Sequence, residues 1–284
     1  MQQGTGLGSG LAGPGRERVN MKFGVCADVS QAPILTVAGF DFLELNVQAN
    51  LKPEAEEADF LPELARIRGC PLPCTAANCF LPGHLKPLGP DVPKEPLKRY
   101  VETACERARR AGIQTIVFGS GGARQIPEGF DRSAAWKQLL DFGWMASTIA
   151  HKHGVTIAVE PLNRNECNVF NTLGECNRFV RDLNLPNLRL LLDSYHWSVE
   201  KDSVADILDA GSFIHHVHIA TYATRKSPGI EPCDFSDFFL ALHAIGYAGG
   251  ISIEGAWTDL GREAEPALAV LRRGTADAAQ PRKK

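Results

Sequence analysis

The chain has 284 residues, 44% of them hydrophobic, and a net charge of −3, which suits one large globular domain with a substantial core. That near-neutral balance carries no electrostatic footprint for nucleic acid, and no apolar run approaches the roughly 20 residues needed to cross a bilayer. Residues 1–20 are Gly-rich, carry Arg16 and Arg18, and lack the apolar stretch of a secretory signal; they are read as a disordered tail ahead of a folded part that begins at Met21.

Lys22 to Ala27 suits a first strand, and Ala32 to Ala38 a short helix ended by Gly39. Phe40 to Asn46 reads as strand 2, Asp59 to Ile67 as helix 2, and Pro71 to Cys79 holds strand 3. A Pro/Gly-rich loop from Leu81 to Pro96 precedes helix 3, Leu97 to Ala111, which Gly112 closes. Thr115 to Phe118 is strand 4. The Gly119-Ser-Gly-Gly122 run behind it is read as a plain turn in preference to a phosphate cradle. Helix 4 spans Ser133 to His153, and strand 5 spans Val155 to Glu160. Helix 5 spans Thr172 to Leu183, with Thr172 and Glu175 in capping-box spacing. Strand 6 (Leu188 to Asp193), helix 6 (Ser203 to Ala210), strand 7 (Phe213 to His218), helix 7 (Asp234 to Ile245), strand 8 (Gly250 to Glu254) and helix 8 (Glu263 to Arg273) follow. The remainder, Gly274 to Lys284, reads as a polar tail with a basic end at Arg282, Lys283 and Lys284.

Strands alternating with helices imply a parallel sheet with helical crossovers. Eight such units predict an α/β fold closed into a (β/α)8 TIM barrel over residues 21–273. No G-x-G-x-x-G follows strand 1, which weakens a dinucleotide-binding reading. The eight cysteines contain no C-x-x-C pair. Free thiols in a reducing cytoplasm are therefore expected over a disulfide framework or a thiolate zinc site.

Four consecutive strands end on a potential ligand: Glu160, Asp193, His218 and Glu254. In a closed barrel those ends share one mouth, so the four side chains are expected to converge. Three carboxylates and an imidazole form a hard donor set suited to Mn²⁺, with Mg²⁺ or Co²⁺ as alternatives. The carboxylates would repel one another without a cation. Glu44, Asn46 and Asn78 also end strands, and each is a candidate either to line the pocket or only to fix a loop by a hydrogen bond. His84 lies in the long loop, and Trp197 and Trp257 follow two of the ligands, either walling the site or packing on loops. Of His215 and His216, one is expected to point toward the helices.

The stretches Glu160-Pro-Leu-Asn-Arg, Asp193-Ser-Tyr-His196, His216-Val-His218 and Ile253-Glu254-Gly255 resemble the xylose-isomerase-like sugar isomerase/epimerase superfamily. Within it the look is that of the ketose 3-epimerases of the D-tagatose/D-psicose type, with hydroxypyruvate isomerases near. The resemblance spans about Met21 to Arg273. It implies that Glu160, Asp193, His218 and Glu254 are metal ligands and that Glu160 and Glu254 are also the acid/base pair. It implies substrate contacts for Glu166, for His196 and for Arg225, a small-molecule sugar as substrate, and a homo-dimer or homo-tetramer. The implied chemistry is proton removal beside a carbonyl polarised by the metal, with the proton returned to the opposite face for epimerisation or to the neighbouring carbon for aldose–ketose isomerisation. A dehydratase on the same barrel and a non-catalytic sugar-binding barrel are the rivals. An apurinic-site endonuclease is disfavoured, because strand 4 ends in Phe118-Gly-Ser without the extra histidine such a zinc centre needs.

Overall fold

The computed structural model describes residues 21–280; the expected tail of residues 1–20 and the basic end at 282–284 lie outside the described residues. Eight strands close into a ring in chain order, each parallel to its neighbours. They are β1 (Lys22–Cys26), β2 (Phe42–Asn46), β3 (Cys74–Asn78), β4 (Thr115–Phe118), β5 (Thr156–Val159), β6 (Leu188–Asp193), β7 (Ile214–Ile219) and β8 (Gly250–Ile253). The ring shuts where β1 pairs with β8, Phe23 beside Ile251 and Val25 beside Ile253. The (β/α)8 expectation therefore holds.

The crossover segments carry α1 (Ala32–Ala38), α2 (Glu57–Arg68), α3 (Lys94–Ala111), the single turn α4 (Gly121–Arg124), α5 (Arg132–Lys152), α6 (Leu173–Leu183), α7 (Ser194–Glu200), α8 (Val204–Ala210), α9 (Ser236–Ala244) and α10 (Leu260–Ala278). Their ends follow local chemistry. Gly39 and Gly112 take left-handed backbone at the C-caps of α1 and α3, which costs glycine little. Thr172 caps α6 by accepting from the Glu175 N–H at 3.1 Å, but the Glu175 carboxylate reaches Asn171 N–H at 2.7 Å, so only half of the expected box forms. A complete box, Ser203 with Asp206, opens α8.

Four local features depart from expectation. The last helix runs through Gly274 to Ala278, so the polar tail does not begin at 274. Gly274 lies against the ring of Phe239 on α9, where a Cβ would overlap it; it serves close helix packing and does not stop the helix. Val47–Leu51 after β2 forms one wide helical turn, and α7 follows β6 without a loop. Finally, β7 slips register against β6 between Leu190 and Leu191. The slip lets adjacent residues reach into the barrel: His215 meets Thr115 Oγ1 of β4 at 3.0 Å, and His216 meets Glu44 of β2 at 2.7 Å. Neither imidazole turns to the helices as expected, because a bulge breaks the alternation on which that expectation rests.

The strands and helices bury a continuous apolar layer between them, including Phe60, Val101, Phe179, Phe238 and Leu268. Inside the ring the filling is divided. Val117, Ala158 and Leu191 form a separate apolar cluster on β4, β5 and β6, whereas Glu44, His216, His218 and Ser252 bring buried polar groups from β2, β7 and β8. All eight cysteines are free thiols. Among the described residues no helix is long and apolar enough to cross a membrane.

Candidate active site

The strand ends converge as expected. Glu160, Asp193, His218 and Glu254 each offer an atom to a group whose members lie within 4.8 Å of one another. Around His218 Nδ1 stand Glu160 Oε1 at 3.3 Å, Glu254 Oε2 at 3.4 Å and Asp193 Oδ2 at 3.9 Å. Asp193 is held by its other oxygen, which accepts the His196 N–H at 2.9 Å and so caps α7. Asp193 Oδ2 is buried and has no hydrogen-bond partner among the described residues. A buried, unpaired carboxylate oxygen is costly. A divalent cation would meet that cost, and the hard oxygen-rich donor set fits one.

The electrostatics agree with a site shaped around positive charge. Burial pushes the Asp193 carboxyl up, helped by Glu160 and against His196. Burial would likewise lower His218, but the Glu44 and Glu254 carboxylates outweigh it and raise the imidazole well above its usual range. For Glu254 burial again acts upward, yet His218 and Arg225 bring it down to about 2.

Small residues make room for these groups. A Cβ on Gly119, just past β4, would overlap Glu160 Oε2, and one on Gly121 would press on the Glu166 carbonyl at 3.0 Å. The Gly119–Gly122 run is thus a close-packed turn under the acidic centre. Beneath it lies Arg124, fully buried. Its guanidinium donates to the Phe118 carbonyl at 2.7 Å and the Glu160 carbonyl at 2.6 Å. It sits between the rings of Phe118 and Phe170, at 5.5 and 5.4 Å from their centroids. It ties the C-terminal ends of β4 and β5 together.

Of the three expected substrate contacts, Arg225 and Glu166 line the mouth and His196 is buried behind it. Arg225 has left-handed backbone, φ 53°. Its loop is held by the Thr221–Glu231 hydrogen bond and by the Ala256 N–H, which donates to the Arg225 carbonyl at 2.8 Å. The guanidinium stacks 5.2 Å from the Tyr195 ring centroid and reaches Glu254 Oε2 at 2.6 Å and Glu166 Oε1 at 3.3 Å. His196 is fully buried, and its Nδ1 accepts the Asn163 backbone N–H at 3.1 Å. That bond puts the ring proton on Nε2, which has no partner among the described residues and stands 4.0 Å from Glu166 Oε2. Arg225, Glu166, Glu160 and Glu254, together with Asn78 and Gln48, line a cavity of about 240 Å³, and His196 lies behind that lining.

Other candidates separate cleanly. Asn78 donates to Glu254 Oε1 at 3.0 Å and belongs to the site. Asn46 caps the turn after β2 by accepting the Ala49 N–H. His84 pairs with Glu54 at 2.8 Å on the surface. Trp197 donates to the Ser203 carbonyl and packs against Phe238, so it is a loop anchor, not a wall. Glu44 is more central than its sequence position suggests: it is 1% exposed and bridges His216 and His218. An acid embedded in an otherwise apolar strand was the available signal.

Known proteins resemble the chain in both sequence and shape. A ketose 3-epimerase of Arthrobacter globiformis is 38% identical over 102 residues, covering 36% of this chain and 35% of the relative. The 3-dehydro-D-guloside 4-epimerase of Escherichia coli (strain K12) is 34% identical over 162 residues, covering 56% and 62%. The chain thus matches from about a third to somewhat under two thirds of these relatives' lengths. The fold is that of D-psicose 3-epimerase from Clostridium cellulolyticum H10, solved with D-tagatose: TM-score 0.78 at 24% identity, over 90% of this chain and 99% of that one. With the matching model spanning residues 35–274, the chain belongs to the xylose isomerase-like TIM barrel family.

Proposed function

We propose that the protein is a divalent-cation-dependent sugar epimerase that inverts a ketose at C3, with Glu160 and Glu254 as its acid/base pair. The observation that carries this reading is the convergence of Glu160, Asp193, His218 and Glu254, with a buried Asp193 oxygen lacking any partner. Relatives named as ketose 3-epimerases support the substrate class. The cation, Mn²⁺ with Mg²⁺ or Co²⁺ as alternatives, would be held by those four residues and would stabilise negative charge developing on the substrate's carbonyl oxygen. The eight free thiols fit a cytoplasmic location.

The protein's own groups supply the rest. One glutamate takes the proton from the carbon beside the carbonyl, and the other delivers a proton to the opposite face; the reverse reaction exchanges their roles. The His196 Nε2–H is an unpaired donor for a sugar oxygen. Arg225 and Glu166 present charge-assisted partners for hydroxyl groups at the mouth. Arg225 gives up its bond to Glu254 when sugar enters, which returns that carboxylate toward useful basicity.

The test is incubation of the Mn²⁺-loaded protein with a panel of ketoses in D₂O, read by NMR and mass. Deuterium at C3, raising the sugar mass by one unit with no loss of water, is expected, and Glu160→Gln or Glu254→Gln should abolish it. Deuterium confined to C1 or C2 would indicate isomerisation instead, and loss of water a dehydratase. No exchange in any sugar would overturn the proposal.

A further inference from the structure

The buried polar half of the barrel contains groups that the proposed chemistry does not use, Glu44 foremost among them. Glu44 on β2 lies across the lumen from β7 and presents one oxygen to each of two histidines: Oε2 to His216 Nε2 at 2.7 Å and Oε1 to His218 Nε2 at 2.8 Å. Both carboxylate oxygens are therefore engaged, and the side chain cannot rotate without losing one bond. An ionised carboxylate only accepts hydrogen bonds, so each imidazole carries its proton on Nε2. In the neutral ring that a bound cation requires, that leaves His218 Nδ1 as the free donor nitrogen, turned to Glu160, Asp193 and Glu254. His216 is itself fixed, with Ser252 Oγ 3.2 Å from its Nε2. The absence of a side chain at Gly250 leaves the ring its space, since a Cβ there would stand 3.3 Å from Nδ1.

We infer that Glu44 is the positioning residue of the metal centre: bridging His216 and His218, it locks His218 in the Nε2–H tautomer and aims Nδ1 as the metal donor. His216 takes no part as a ligand and serves as the second anchor that keeps Glu44 in place. Partners behind a metal-binding histidine typically change affinity by about 10- to 100-fold when removed. This inference rests on the proposed metal role of the four-residue site.

The experiment measures Mn²⁺ affinity of the purified, metal-stripped full chain by calorimetry, for the wild type, Glu44→Gln and His216→Phe, with thermal melts alongside. A glutamine can accept from one imidazole but turns its NH₂ toward the other, so Glu44→Gln should weaken Mn²⁺ by about 10- to 100-fold. His216→Phe should weaken it less, while keeping the His218 tautomer. The readout that a merely structural role would not move is ¹⁵N NMR of the histidine rings in the Mg²⁺-loaded protein. Wild type should show His218 protonated on Nε2, and Glu44→Gln should disturb that pattern. A wild-type His218 carrying its proton on Nδ1 overturns the inference even if neither variant folds. So does a folded Glu44→Gln protein with unchanged affinity and tautomer, which leaves the proposed function standing. Failure of the wild type to bind any divalent cation removes both.

Discussion

Arg225 Nη2 lies 2.6 Å from Glu254 Oε2, the same oxygen that stands 3.4 Å from His218 Nδ1. One carboxylate oxygen thus answers to both a loop guanidinium and a buried barrel imidazole. A carboxyl held near 2 is a weak base, so under the proposed function the guanidinium would have to exchange Glu254 for substrate oxygens. Arg225→Ala should raise KM for the ketose by about 10- to 100-fold, the equivalent of a charge-assisted hydrogen bond of about 1.5–3 kcal/mol. Arg225→Lys should recover only part of this, because an ammonium cannot span Glu254 and Glu166. Steady-state kinetics over a ketose series checks both.

Gly119 tests the placement of Glu160 without touching its chemistry. A methyl group there overlaps the tip of the Glu160 side chain, not rigid backbone, so Gly119→Ala should fold normally. The displaced carboxylate should cost about 10- to 100-fold in kcat, the scale of an ångström-sized misplacement. A melt within a few degrees of wild type, together with that loss, is the expected pair of results.

Arg124 ties two strand ends together with no carboxylate beside it. Arg124→Met removes two hydrogen bonds to buried carbonyls and should destabilise the barrel by about 1–3 kcal/mol. For a domain of this size that corresponds to a melting temperature lower by roughly 2–12 °C. Activity should fall as well, since the Glu160 carbonyl loses its tether.

Cation binding at the proposed site should be linked to folding. At a free Mn²⁺ concentration about 100 times its Kd, the native state gains about 2.7 kcal/mol, or roughly 5–11 °C in melting temperature. A chelator should reverse the shift. The same titration on Asp193→Asn should show most of it gone.

Asp28 carries a pH dependence of its own. The Ser30 backbone N–H lowers its carboxyl to about 2 from an ordinary 3.8, with Arg66 assisting against partial burial. A depressed folded value means that the stabilisation is complete above about 4 and disappears as pH falls through 2. Asp28→Asn keeps the cap acceptor and loses the charge, so it should cost about 0.5 kcal/mol at pH 7, the scale of an exposed ion pair, and almost nothing at pH 2. Urea titrations across that range measure the gap.

The strand ends at Glu160, Asp193 and Glu254 were readable because an acid closing an apolar run is a local pattern. So were Gly39 and Gly112, whose left-handed caps need only their own neighbours. Glu44 and His216 were not readable as a pair, because 172 residues separate them and only ring closure brings β2 opposite β7. The slip at His215 was invisible for a related reason: it arises from pairing with β6, not from the β7 sequence. Gly274 misled in the opposite direction, since a glycine beside a facing phenylalanine ring looks in sequence like a stop. Arg225 entered through resemblance alone; nothing about its spacing announces a left-handed backbone turning it over the mouth.

The bond from Glu44 to His218 runs straight across the lumen, like a spoke joining opposite parts of a rim. Any breathing motion that parts the early strands from the late ones would also slacken the histidine proposed to hold the ion. Release of the ion and loosening of the wheel would then be a single event, and amide exchange on β2 and β7 would quicken together on adding a chelator.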